Sequence, residues 1–296
     1  MPLQYQPLAR LLHPEGHSDG VSTVCFSPNG LLLASGGMDG RVCVWSMCSN
    51  KLLYVFSGRS PVLSLAWLAA SNDKLVCGME DGTIASLTLA TDVIRLNGFL
   101  AHRFPVERLA ICGTQLASGA HKEVKVWART ANGDFKDPTL SGFWAQTLEL
   151  DAPPRSSYTS GREVRVTSLH WTAAPKCPSV LIVTYLSHGI VAYDARTWNR
   201  IRATPVPGYI ADASLSTDGK FLVTSNMLTG FELFHMKAPA EVEPLFSFKQ
   251  DVTARRPIPV RFVHGDHAII GGTSHSQVNV WDVVSRLKQS LHLSSE

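Results

Sequence analysis

The stretch LASGGMDGRVCVW at residues 33–45 recurs as LASGAHKEVKVW at 116–127 and as IIGGTSHSQVNVWD at 269–282. Each copy has an apolar strand, small residues, a polar turn and a second apolar strand that ends in Trp. Three copies in one chain define a repeated unit. Such a unit buries its apolar face only by stacking on neighbours, so the repeat constrains the fold more than any bulk property does.

Residues upstream and downstream complete the unit. VSTVCFSPNGLLLAS at 21–35 reads as a strand over 21–26, a Ser-Pro-Asn-Gly turn and a strand from Leu31. Proline fixes φ and glycine permits positive φ, so this is a hairpin with a mechanism. After Trp45, KLLYVF at 51–56 reads as a fourth strand. Four antiparallel strands in about forty residues match the length of a propeller blade.

Five further units follow. The second keeps an Asp81-Gly82 turn and has Leu87 at the Trp position. The third has a turn one residue shorter, with His121 at the Asp position. The fourth places Tyr193-Asp194, and the fifth Phe234, where the first has Trp45-Ser46. The sixth ends in Trp281-Asp282, the one complete Trp-Asp pair. Polar segments over 128–142 and 151–163 lengthen the third and fourth units and read as surface insertions, since extra loop length costs little. No segment has a helical period. The expected fold class is all-β, a β-propeller of four-stranded antiparallel blades in one domain over 1–296.

The blade count has two readings. Six sets of inner strands are visible, but PLARLLH at 7–13 makes a seventh candidate outer strand, a ring-closing strand within an N-terminal segment 1–16. A six-blade ring with a redundant outer strand competes with a truncated seven-blade array.

These residues resemble the WD-repeat β-propellers. EGH at 15–17, FSPNG at 26–30, LASGGMDG at 33–40 and VWS at 44–46 follow that family's repeat. The resemblance is strong in the first unit, fair in the third and sixth, and weak elsewhere. It implies a hydrogen-bonded network of His17, Ser35, Asp39 and Trp45. It implies a partial version of His102, Ser118 and Trp127, where His121 removes the acceptor charge, and it marks Trp281 and Asp282 in the last unit. The remaining blades are expected to depend mainly on apolar packing.

Composition narrows the function. The formal charge of +3 and the scattered Lys and Arg give no basis for nucleic acid or membrane binding. Arg255-Arg256, the densest basic spot, reads as a solvated loop. No stretch nears 18 apolar residues, and the first residues lack a secretory pattern, so the chain is expected to be cytoplasmic or nuclear. Cys25, Cys43, Cys48, Cys77, Cys112 and Cys177 form no CxxC pair and read as reduced, several of them within apolar strand patterns as small core hydrophobes. His264 and His267 flank a turn, and His121, His188 and His275 recur near the turn-Asp position without metal-site spacing. No P-loop, GxGxxG, G-x-S-x-G or H-E-x-x-H occurs.

No cofactor, metal or small-molecule substrate is expected. The resemblance implies a non-catalytic intracellular scaffold or adaptor for protein or peptide partners. A sensor propeller of a larger regulatory or defence protein and a propeller-face enzyme are the alternatives. Met38, Arg59, Glu80, Arg103, Phe104, Tyr209 and Arg256 precede turns or first strands and are expected on a partner-binding face. Arg and aromatic residues on a rim have the composition of such a patch.

Overall fold

The computed structural model describes residues 8–69, 71–90, 93–129, 144–155, 159–172, 180–237, 240–250, 256–273 and 277–292. Its secondary structure is 24 strands in six four-stranded sheets, and no helix occurs among the described residues. Contacts gather in two compact units, residues 1–151 and 152–296.

The first unit holds three sheets. Sheet one is β1 (Val21–Phe26), β2 (Leu32–Gly37), β3 (Arg41–Ser46) and β4 (Leu52–Ser57). Sheet two is β5 (Val62–Trp67), β6 (Lys74–Met79), β7 (Thr83–Ala90) and β8 (Val93–Leu100). Sheet three is β9 (Arg108–Cys112), β10 (Gln115–Ala120), β11 (Glu123–Arg129) and β12 (Trp144–Glu149). The second unit holds the other three. Sheet four is β13 (Val166–Thr172), β14 (Val180–Tyr185), β15 (Gly189–Asp194) and β16 (Arg200–Thr204). Sheet five is β17 (Ile210–Leu215), β18 (Phe221–Asn226), β19 (Gly230–Lys237) and β20 (Glu241–Phe248). Sheet six is β21 (Val260–Val263), β22 (Ala268–Gly272), β23 (Gln277–Asp282) and β24 (Lys288–His292).

Every sheet is an antiparallel meander in which consecutive strands pair. Within each unit the first strands pack on one another, β1 on β5 on β9 and β13 on β17 on β21. That is the blade arrangement of a propeller, with the first strand innermost. Register shifts recur at two points. One opens the first hairpin of four sheets, as between Val21 and Thr23. The other falls at the Trp position of the outer pair, as between Val44 and Trp45. An extra residue at such a point raises the local twist, which each blade needs in order to pack on the next.

Local sequence sets the hairpins. In the Ser27-Pro28-Asn29-Gly30 turn, Ser27 Oγ bonds Asn29 and accepts the N–H of Leu32, and Gly30 sits at φ 71°. Ser216-Thr217-Asp218-Gly219 repeats the device, with Ser216 Oγ bonding Asp218 and accepting the N–H of Phe221.

Apolar residues from facing sheets form the cores. Val42 and Val44 meet Trp67 and Leu87 between sheets one and two, and Val76 and Ile84 meet Leu116 and Trp127 between two and three. Ile182 meets Leu222 and Phe234 between sheets four and five, and Phe231 meets Ile269 and Trp281 between five and six. At the six Trp positions Trp45, Leu87, Trp127, Tyr193, Phe234 and Trp281 are all at most 6% exposed. The departures from Trp therefore keep the burial and change the polar handle. At Gly271 there is no room for a side chain: a Cβ there would lie 2.2 Å from the Phe231 ring.

The blade count settles at six. Sheet six has its own outer strand, β24, and residues 8–20 carry no strand. The expected seventh outer strand is absent because the chain there turns. Gly16 N–H bonds His13 O, Pro14 offers no donor, and the Arg41 guanidinium holds the Glu15 and Gly16 carbonyls. The truncated seven-blade reading thereby loses its basis. Among the described residues, no helix is long and apolar enough to cross a membrane. Cys177, His275, Arg255 and most of the insertion at 128–142 lie outside the described residues.

Candidate functional site

Two polar networks anchor the first and third sheets. Trp45 Nε1–H donates to Ser35 Oγ at 3.1 Å, and Ser35 Oγ meets His17 Nε2 at 2.9 Å. His17 Nδ1 lies 3.1 Å from Asp39 Oδ1. An arrangement that satisfies every group runs from indole N–H to hydroxyl, hydroxyl to imidazole, and imidazole N–H to carboxylate. Asp39 also accepts the N–H groups of Ser18 at 2.8 Å and Arg41 at 3.0 Å, so it ties the entry loop to the β2–β3 turn. Burial opposes its ionisation, but those two N–H groups and His17 outweigh burial and hold its carboxyl below the usual aspartate range.

The third sheet has the same construction with a different acid. Trp127 Nε1–H donates to Ser118 Oγ at 2.8 Å, and Ser118 Oγ meets His102 Nε2 at 2.7 Å. His102 Nδ1 then lies 2.9 Å from Glu123 Oε2. His121, at the Asp position, is not the partner. It takes φ 52° in the shortened turn and stacks on Phe104, ring centroids 4.8 Å apart. The acceptor charge expected to be missing is supplied two residues later by Glu123, whose longer side chain reaches back. Lys125 Nζ lies 3.4 Å from Glu123 and bonds Ala101 O, which closes the network.

Trp281 and Asp282 do not share a network. Trp281 is edge-on to Phe231, with centroids 5.2 Å apart. Asp282 is exposed and accepts the N–H groups of Val284 and Ser285, so it shapes the β23–β24 turn. Asp194 does the same for Arg196 and Thr197.

The remaining blades carry polar ties that sequence reasoning missed. Trp67 Nε1–H donates to Cys25 O, and Trp144 Nε1–H to Ser86 Oγ, each from one sheet to the next. In sheet four, Thr184 Oγ1 meets Thr167 Oγ1 and Ser168 Oγ at 2.8 and 2.7 Å. In sheet five, Asn226 accepts the N–H groups of Tyr209 and Leu228 and donates to Pro207 O, so it fastens the entry loop. Asp212 accepts the N–H of Val260 at 3.0 Å and pairs with Arg261, joining sheets five and six. A lone acid in the apolar strand IADASL was the visible signal for Asp212. Glu123 had no such signal, because its reach depends on the turn geometry.

The networks have the atom order of a Ser-His-Asp catalytic triad but not its access. Ser35 and Ser118 are buried, and each hydroxyl already accepts an indole N–H. Among the described residues no three His, Cys, Asp or Glu side chains are grouped to hold a metal. His264 and Asp266 take positive φ in the β21–β22 turn, and Asp266 accepts the N–H of Thr217. Burial pushes the thiols of Cys25 and Cys77 up to about 12, which suppresses their thiolates.

His102 gives the third sheet an acid sensitivity. Burial, with a lesser contribution from Lys125, outweighs Glu123 and holds the imidazole below its usual 6.5. A folded-state value below the unfolded one means stability that is complete above 6.5 and falls as pH drops through the folded value. Melting temperature is therefore expected to fall between pH 7.5 and 5.5, and to fall less in His102→Gln. Equal falls in both proteins would remove His102 as the cause.

The exposed candidates of the first unit share one end of it. Gly82 takes φ 86°, and a Cβ there would lie 2.1 Å from His102 O and 3.3 Å from Phe104 O, so the β6–β7 turn rests on the next entry loop. Asp81 N–H bonds Ser60 Oγ, and Gly40 abuts Gly58 and Ser60. Met38, Arg59, Glu80 and Arg103 are exposed along these loops, with Met38 at 42%, and Phe104 is half-buried beside them. In the second unit Tyr209 is half-buried and Arg256 exposed, both in loops that enter first strands.

Residues 6–46 match the family model described as WD domain, G-beta repeat, and the six four-stranded sheets have the arrangement of a β-propeller. In fold the chain is similar to the β-propeller domain of Cps50 (Swd1) from Myceliophteria thermophila. The TM-score is 0.75 at 18% identity, covering 95% of this chain and 89% of that one. That likeness shows the fold alone.

In sequence the chain is similar to the Periodic tryptophan protein 2 homolog of Dictyostelium discoideum, 27% identical over 221 residues, 64% of this chain and 23% of that protein. It is also similar to the small ribosomal subunit protein RACK1z of Arabidopsis thaliana, 41% identical over 84 residues, 26% of this chain and 25% of that protein. Each match spans a quarter or less of the relative's own length.

Proposed function

We propose that this chain is a non-catalytic, intracellular scaffold that binds protein or peptide partners through the loops entering its blades. The observation that carries this reading is the use of its Ser-His-acid groups. They lie buried under Trp45 and Trp127 and serve the frame, which leaves the exposed loop residues as the surface available to other molecules. A stiff frame presents such loops at small entropic cost on binding. A relative named as a small ribosomal subunit protein works, by that name, within an assembly. The same name leaves nucleic acid outside what this proposal excludes.

The test is a double charge reversal, Arg59→Glu with Arg103→Glu. Both residues are exposed, so melting should not change. Protein partners captured from the source cell and identified by mass spectrometry should fall at least about ten-fold, since rim charges and Arg anchors govern association. Unchanged capture, or a turnover activity that survives purification, would overturn the reading.

A further inference from the structure

The exit from sheet four and the outer strand of sheet five enclose a groove of about 340 Å³. One wall is the segment 204–207, Thr-Pro-Val-Pro, which leads from β16 towards β17. The other is β20, which contributes Val242, Pro244 and Leu245. Proline has a fixed φ and no N–H, so Pro205, Pro207 and Pro244 give the walls a set shape and few donors. A register shift between Leu233 and Phe234 leaves Leu245 without a residue opposite it on β19. A bulge re-aims such a side chain, and Leu245 is 43% exposed at the groove.

Glu232 is the one charged residue that lines the groove. Asn226, 1% exposed, donates from Nδ2 to Glu232 Oε2 at 3.2 Å and to Pro207 O at 2.7 Å. It therefore sets the carboxylate and the proline wall in one frame. Thr229 Oγ1 donates to Glu232 Oε1 at 2.8 Å. Each oxygen thus has one neutral donor and keeps a further acceptor position open. Among the described residues no cation pairs with Glu232. Glu243 on β20 is by contrast matched by Lys237 at 2.6 Å.

The lining selects the ligand. The volume lies at the lower end of the range for binding sites, about 300–1,000 Å³, which suits a few side chains. An anion would meet Glu232, and a sugar would find few donors on the proline walls. An apolar group with a cation beside it matches both the walls and the carboxylate. Charge-assisted bonds to a carboxylate are about twice as strong as neutral ones, and the planar guanidinium fits its two oxygens together. We propose that this groove binds a short segment of a protein partner in which a leucine-sized side chain stands next to an arginine, with the guanidinium on Glu232. The groove rests on the scaffold reading and names the chemistry of one partner segment.

The full chain is titrated with acetyl-Leu-Arg-Leu-amide, followed by calorimetry and by the methyl resonances of Leu245 and Val206. Three ligands are run alongside: the matched citrulline peptide, which has the shape of arginine without its charge, acetyl-Gly-Arg-Gly-amide, and free hexylguanidinium. Saturable binding of the leucine–arginine peptide with movement of both sets of methyl resonances is expected, and at least about ten-fold weaker binding of the other three. Glu232→Gln should abolish the preference for arginine over citrulline, and Leu245→Ser should weaken both peptides by a similar factor. Leu245 is exposed, so its variant should melt as the parent does. The ligand comparison on the parent chain decides even where Glu232→Gln lowers the melting temperature.

No saturable binding, equal binding of any of the three control ligands, or a preference for arginine that survives in Glu232→Gln would overturn the groove. No peptide binding, alongside loss of captured partners in the Arg59→Glu/Arg103→Glu protein, would overturn the groove and leave the scaffold reading standing.

Discussion

Trp127→Ala is expected to destabilise the protein by about 3–5 kcal/mol, the range for truncating a buried aromatic side chain. Trp127 is 3% exposed and packs on Phe99, with ring centroids 4.9 Å apart, so truncation opens a cavity between sheets two and three. It also leaves Ser118 Oγ without its indole donor. Trp127→Phe separates the two losses. It keeps most of the apolar contact and removes the N–H, and should cost about 1–3 kcal/mol, the range for one unmatched buried polar group. Denaturant unfolding of both variants checks the order. A phenylalanine variant as unstable as the alanine one would contradict the assignment of the larger loss to packing.

Asp39→Ala follows in size. The substitution strips the acceptor from four donors at once: the Ser18 N–H and hydroxyl, the Arg41 N–H and the His17 ring. Hydrogen bonds to a charged group contribute about 1.5–3 kcal/mol each, and water recovers part of that at a site near solvent, so the expected net loss is about 2–4 kcal/mol. Asp39→Asn should lose less, because an amide oxygen still accepts from one or two of the donors. Capture of partners by the folded protein should persist in both variants. A thermal melt of Asp39→Ala identical to that of the parent would count against the network as a structural device.

Much of this architecture was legible in the sequence, and the reasons are local. The strand over 21–26 was read with its observed bounds because Pro28 and Gly30 end it through backbone chemistry that no tertiary contact overrides. Leu87, Tyr193 and Phe234 could be aligned with Trp45 because the position demands a large apolar group, and each supplies one. What escaped was set by three-dimensional reach. Glu123 replaces the missing aspartate from a position two residues away, because a shortened turn puts His121 at positive φ and a longer acid fits the gap. Asp212, Asn226 and Ser86 tie elements that are distant in the chain, and no spacing announces such pairs. The apolar spacing of PLARLLH imitated an outer strand, but Pro14 and the grip of Arg41 on the Glu15 and Gly16 carbonyls turn the chain over Trp45 instead.

The partner-binding candidates were the least legible part. Being near a turn places a residue at the end of a blade, but nothing in the spacing says which other loops it will meet. Gly82 lying against the carbonyls of His102 and Phe104 is what brings Glu80 and Arg103 to the same end of the first unit.

On the function proposed above, the serine–histidine–acid groups hold the frame and perform no chemistry. Reaction of the native protein with a fluorophosphonate serine probe, read by intact mass, tests it most directly. No adduct is expected on the folded chain, because the hydroxyls of Ser35 and Ser118 are covered and already engaged. A stoichiometric adduct on the native protein that disappears in Ser35→Ala or Ser118→Ala would contradict the account.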